Sequence, residues 1–135
     1  MQSNAKGPTK AERDRMARMV QYCLPCLIVG FRKRLGTVQH VVEGGKRLGH
    51  SFTYSACPYH HQAIPDPWND YKAEELLGPS LATNKKAYVE RFGTERELVE
   101  LQDVILALPE NEMYRAVRWY IDKQNFPIPQ MGTSK

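Results

Sequence analysis

Every cysteine and histidine of this 135-residue chain lies between Cys23 and His61. They run as Cys23-x-x-Cys26, His40, His50 and Cys57-Pro58-Tyr59-His60-His61. Cys23, Cys26, Cys57 and His60 form two knuckles about thirty residues apart, and together they offer the four donors of a closed tetrahedral zinc site. Either His60 or His61 can complete that shell. The two-residue spacing that mirrors Cys23-x-x-Cys26 favours His60, and the alternative to a metal is three free, buried cysteines. A structural zinc contributes about 10 kcal/mol or more of folding free energy, which suits a stretch too rich in turns to build much core. His40, His50 and His61 lie outside the set. A strand histidine and a helix histidine facing one pocket can hold a divalent cation beside a general base.

The elements that must position these groups are short. Thr9-Lys10-Ala11-Glu12 is a capping-box pattern that opens a helix through about Tyr22, with Met16, Met19 and Val20 on one face. From Leu27 to Phe52 the pattern reads as loop and short strand. Thr37 to Val42 is β-branched and extended in character, broken by Gly44-Gly45, and Ser51 to Tyr54 alternates as a second strand. Cys57-Pro58 starts a short helix, with proline at an allowed first-turn position.

Residues 63–83 carry Pro65, Pro67 and Gly78-Pro79-Ser80 and read as an irregular loop. Lys85 to Phe92 is a helix closed by Gly93. A second capping box, Thr94 to Glu97, opens a helix with Leu98, Leu101, Val104, Ile105 and Leu108 at helical spacing. Pro109 starts the last helix, with Met113, Val117, Tyr120 and Ile121 on one side. The expected organisation is a tail at 1–8, one domain at 9–124 (core 23–64, helical part 84–124) and a tail at 125–135. Trp68, Tyr71 and Trp119 are expected to pack in the core rather than to stack on bases.

Composition narrows the class. Hydrophobic content of 41% with 25% charged residues fits one soluble globular domain. No apolar run approaches the roughly 18 residues of a membrane span, and the first residues lack a signal-peptide core. The expectation is a cytoplasmic protein with no membrane role. Three cysteines in two knuckles do not suit a disulfide framework. The net charge of +4 is asymmetric: residues 1–50 carry ten Lys/Arg against three Asp/Glu, and residues 51–135 carry nine against twelve. Arg32, Lys33, Arg34, Lys46 and Arg47 flank His40 and suit a polyanionic partner, most simply nucleic acid.

The run Gln39-His40-Val41-Val42-Glu43-Gly44-Gly45-Lys46-Arg47-Leu48-Gly49-His50-Ser51-Phe52-Thr53, then Cys57 to His61, resembles the HNH nuclease core of the phage RecA-dependent nucleases (Ref type). The likeness continues through Gly78 to Ala82 and Tyr88 to Leu98, covering about residues 10–108. It implies an α+β fold: a zinc-supported ββα-metal (HNH, or His-Me finger) core packed with several helices. It implies a DNA endonuclease of a bacterial host cytoplasm, with RecA filaments as a partner.

By the same resemblance His40 is the general base, His61 the helix ligand of a catalytic Mg²⁺ or Mn²⁺, and His50 the residue that orients the base. Arg32, Lys33, Arg34, Lys46 and Arg47 would hold the DNA backbone. The family commonly has a His-His pair where this chain has Gln39-His40, so either Asp66 or Asp70 assists the cation or its binding is impaired. A non-cleaving, zinc-dependent DNA-binding or interaction module is the alternative that this departure raises.

Overall fold

A computed structural model of the chain describes residues 7–31, 34–64 and 73–124. The two expected tails, apart from Gly7 and Pro8, lie outside these residues, as do Arg32, Lys33, Asp66, Trp68, Asp70 and Tyr71.

Helix α1 (Lys10–Met19) begins at the expected capping box: the Thr9 hydroxyl accepts from Glu12 N, and the Glu12 carboxylate accepts from Thr9 N at 2.8 Å. It ends at Met19, three residues short of the expected Tyr22. A second helix, α2 (Leu24–Val29), occupies part of the stretch read as loop and short strand. All six of its residues are buried. A helix that is apolar all round shows no period in the sequence, and six residues are too few to reveal one.

Strand β1 (Thr37–His40) pairs antiparallel with β4 (Thr53–Ala56), in the register Thr37↔Ala56 to His40↔Thr53. Between them β2 (Val42–Glu43) and β3 (Lys46–Arg47) form a small hairpin. Its two-residue turn is Gly44-Gly45, both at positive φ (61° and 80°), the backbone that a twisted two-residue hairpin requires. The second long strand starts two residues later than its alternation suggests. Gly49 and His50 turn the chain first, with Phe52 N donating to Gly49 O and the Thr53 hydroxyl to His50 O.

Helix α3 (Pro58–Gln62) follows β4 directly. Helix α4 (Ala73–Leu77) lies within the expected irregular loop and is a correction to that reading. Helix α5 (Lys85–Phe92) has the expected bounds, and α6 (Glu95–Leu106) opens at the expected Thr94/Glu97 capping box but ends two residues before Leu108, which the spacing includes. A short 3-10 turn (Glu110–Glu112) precedes α7 (Met113–Gln124), so the last helix starts four residues after Pro109.

The fold is mixed α/β. Its core gathers Leu24 and Ile28 of α2, Tyr54 of β4, Tyr88 and Phe92 of α5, Leu98 and Leu101 of α6, and Tyr120 of α7, each buried to within about 1% of full exclusion. The α2 helix lies at the centre, touching β4, α4 and α7. Trp119 corrects the core-packing expectation: it is 46% exposed on the outer side of α7, with the Lys123 ammonium 4.9 Å from the ring centre.

Candidate metal centre and histidine site

Two helix starts of the same design build one cluster. Cys23 is the N-cap of α2 and Cys26 lies in its first turn; Cys57 is the N-cap of α3 and His60 lies in its first turn. Each helix has proline in its first turn, where no amide hydrogen is needed. The four donor atoms lie within 4.8 Å of one another, and the residues are 0–1% exposed. His60 Nδ1 is 3.6, 3.5 and 3.3 Å from the sulfurs of Cys23, Cys26 and Cys57, and the Cys26 and Cys57 sulfurs are 3.7 Å apart. Zinc with bonds of about 2.0–2.3 Å makes a tetrahedron with edges of about 3.5–3.8 Å, so the donors have the spacing that ion needs.

The protonation of His60 follows from its other nitrogen. Nε2 lies 2.7 Å from the Leu77 carbonyl, which can only accept, so Nε2 carries the hydrogen and Nδ1 turns its lone pair toward the sulfurs. Burial drives the Cys23 and Cys26 thiols up, while hydrogen bonds from both hold Cys57 down. Three thiols this close and this dry cannot all ionise without a cation among them. The cluster can therefore hold a metal ion such as zinc, and the structure places His60, not His61, with the cysteines.

His61 turns the other way, to β1. The Thr37 hydroxyl donates its single hydrogen to Ala56 O at 2.8 Å and lies 2.9 Å from His61 Nδ1. Nδ1 must then donate to Thr37, which leaves the Nε2 lone pair available to a cation. Gln39 is on the same face of β1 as Thr37, two residues along. Its amide nitrogen donates to His40 O (3.1 Å) and to Glu95 Oε2 (3.3 Å), a carboxylate that also accepts from the Tyr54 hydroxyl at 2.9 Å. Both partners of that nitrogen can only accept, so the amide cannot be reversed. Its oxygen is buried with no hydrogen-bond partner among the described residues, a state that costs about 1–3 kcal/mol for an ordinary carbonyl.

His40 ends β1, and its Nε2 is 3.1 Å from His50 Nδ1 with the rings edge to face. Burial lowers the His40 pKa first, and the charges of Arg47, His50 and His61 lower it further. Burial also lowers His61. Both directions favour neutral imidazole at pH 7. The end of β1 thus brings a histidine paired with another imidazole near enough to His61, whose Nε2 lone pair is available to a cation, for their charges to interact.

The basic residues divide. Lys46 and Arg47 are exposed on the β2–β3 hairpin. That hairpin is tied to α6 by the Glu43–Arg96 ion pair, whose two contacts are 2.6 and 2.9 Å. Arg34, grouped with them in the sequence, instead puts Nε 3.1 Å from the Cys26 sulfur and Nη2 3.8 Å from that of Cys57. Arg34, Leu77, Thr37 and Glu95 are the members of this region that spacing did not single out. A carbonyl acceptor or a side chain folding back on a knuckle leaves no periodic mark.

Fold and site together define a small mixed α/β protein with a buried Cys₃His cluster that can hold a metal ion, beside a half-exposed histidine group on a strand–strand–helix unit. The chain belongs to the family described as recombination enhancement, RecA-dependent nuclease, whose model matches residues 8–107. That span contains every cysteine and histidine and ends at the C-cap of α6, leaving α7 outside. Neither a comparison with curated proteins nor one with solved structures finds a match. Among the described residues no helix is long and apolar enough to cross a membrane.

Proposed function

We propose that this chain is an HNH-type endonuclease of a phage or prophage that hydrolyses DNA phosphodiester bonds with a divalent cation, directed by RecA filaments in the host cytoplasm. The observation that carries the reading is the pairing at the end of β1. His40 has one nitrogen committed to His50, and His61 on the following helix has its Nδ1 hydrogen committed to Thr37. Zinc at Cys23, Cys26, Cys57 and His60 fixes α2 against α3, and so fixes where His61 stands.

In this reading the His40 Nε2 hydrogen is given to His50 Nδ1, which leaves the His40 Nδ1 lone pair to take a proton from water. The water oxygen attacks phosphorus, its proton passes to Nδ1, and the bond from phosphorus to the leaving sugar oxygen breaks. His61 Nε2 and the Gln39 amide oxygen would hold a Mg²⁺ or Mn²⁺ ion. When bound, that ion offsets charge on the phosphate and the leaving oxygen. Glu95 takes the Gln39 amide nitrogen and so leaves the buried Gln39 oxygen unpaired, and the residue in place of a histidine still offers a donor. Lys46 and Arg47 would contact phosphates.

The test is nicking of single- and double-stranded DNA with Mg²⁺ or Mn²⁺, with and without RecA. Cleavage that His40→Ala abolishes is the expected result. No cleavage by the wild type, or undiminished cleavage by His40→Ala, overturns the reading. The second reading, a zinc-dependent DNA-binding module without turnover, is favoured by Gln39 alone. It would show as salt-sensitive binding with no product.

A further inference from the structure

We infer that Arg34 is the counter-ion of the metal cluster, not a contact to nucleic acid. The inference rests on zinc occupying the Cys₃His donors and is independent of cleavage.

The argument begins with charge. Three thiolates and one neutral imidazole around Zn²⁺ carry a net charge of −1, and the four residues are almost wholly removed from water. A buried net charge is strongly unfavourable unless an opposite charge or several hydrogen-bond donors meet it. The donors around the sulfurs are divided in a telling way. The Cys23 sulfur accepts two backbone amides, Cys26 N at 3.3 Å and Cys57 N at 3.1 Å. Cys26 and Cys57, whose sulfurs are not served by those amides, are the two that the Arg34 guanidinium reaches.

A planar fork suits that task. Nε and Nη2 diverge from one carbon and can address two sulfurs 3.7 Å apart, which a single ammonium on a flexible stem does less well. Position in the chain adds to this. Arg34 lies between the knuckle helix α2 and β1, the strand bearing Gln39 and His40. A guanidinium anchored on the cluster therefore ties the start of the histidine strand to the metal.

The experiment compares wild type, Arg34→Gln and Arg34→Lys, each checked for bound zinc by elemental analysis. The first readout is the rate of zinc transfer to a chromogenic chelator. The second is the sulfur-to-metal charge-transfer band of the Co²⁺-substituted protein. The third is the salt dependence of DNA binding. The expected result is zinc loss about 10- to 100-fold faster in Arg34→Gln, the range seen when outer partners of metal ligands are removed. A shifted cobalt band, partial rescue in Arg34→Lys and an unchanged salt slope are expected with it.

Zinc retention and a cobalt band equal to wild type in Arg34→Gln would overturn the inference. So would a salt slope reduced by about one unit, the mark of a lost phosphate contact. If Arg34→Gln does not fold, Arg34→Lys decides: wild-type zinc transfer and band position there exclude a fork-specific role. Wild-type protein that binds no zinc would remove the metal reading itself, a failure distinct from the others.

Discussion

The two centres of this molecule are built to opposite specifications. The Cys₃His cluster is closed: its four residues are buried, and the outward nitrogen of His60 is bound to a backbone carbonyl. The histidine group is open: His40, His50 and His61 are each half-buried, and on the tautomer assigned above the Nε2 lone pair of His61 is left for an outside partner. Structural metal sites fill their coordination shell with protein, and catalytic ones keep a position free. One short helix serves both centres, with His60 turned to the cysteines and its neighbour His61 turned to β1.

The sharpest way to break this contrast is to remove metal from the closed centre. Cys57→Ser, or a strong chelator, should abolish the cooperative thermal transition, because about 10 kcal/mol or more of zinc binding energy is comparable to the whole stability of a small domain. Circular dichroism melts with and without chelator would check it. An unchanged midpoint would show that the cluster is a set of packed thiols.

At the open centre, His40→Ala should cost about 10²- to 10⁴-fold in cleavage while leaving that melt intact. Equal losses of activity and stability would erase the distinction between the centres. The pH profile sharpens it further. A general base must be neutral, and the His40 pKa lies below its ordinary value. The rate should therefore fall only as pH drops through a midpoint under about 6.5, with a plateau at pH 7. A midpoint above 7 would assign the base elsewhere.

Gln39→His should raise Mn²⁺ affinity about tenfold, roughly 1.4 kcal/mol, measured calorimetrically on the His40→Ala background so that turnover does not interfere. No change would place the cation away from the Gln39 oxygen. The smallest effect is expected on the hairpin. Lys46→Ala and Arg47→Ala should each reduce the salt slope of DNA binding by about one unit, with no effect on zinc content.

The closed centre was more legible in the sequence than the open one, for a physical reason. Metal ligation demands donor types at fixed spacing, and Cys23-x-x-Cys26 and Cys57-x-x-His60 display it directly. The two capping boxes at Thr9 and Thr94 were equally plain, because a cap is a local contract between residues three apart. What stayed hidden was non-local. Leu77 enters through its carbonyl, from a helix masked by prolines on its N-terminal side. Helix α2 is buried on every side, so its pattern has no period. Arg34 looked like its basic neighbours because charge is visible in a sequence and direction is not. The Gln39–Glu95 bond joins residues 56 positions apart, which no spacing rule anticipates.

Helix α7 carries a practical consequence. Recognisable family sequence stops at 107, yet folding does not stop there. Met113, Val117, Tyr120 and Ile121 are buried, and the Tyr120 hydroxyl reaches back to Phe92 O at 2.6 Å. The same helix covers α2, the one that presents Cys23 and Cys26. A fragment cut at the boundary of homology would lay bare the back of the helix that carries Cys23 and Cys26. The stretch matched by the family model and the physical domain are therefore different lengths of chain, and α7 serves as a lining for the helix that presents the first two cysteines.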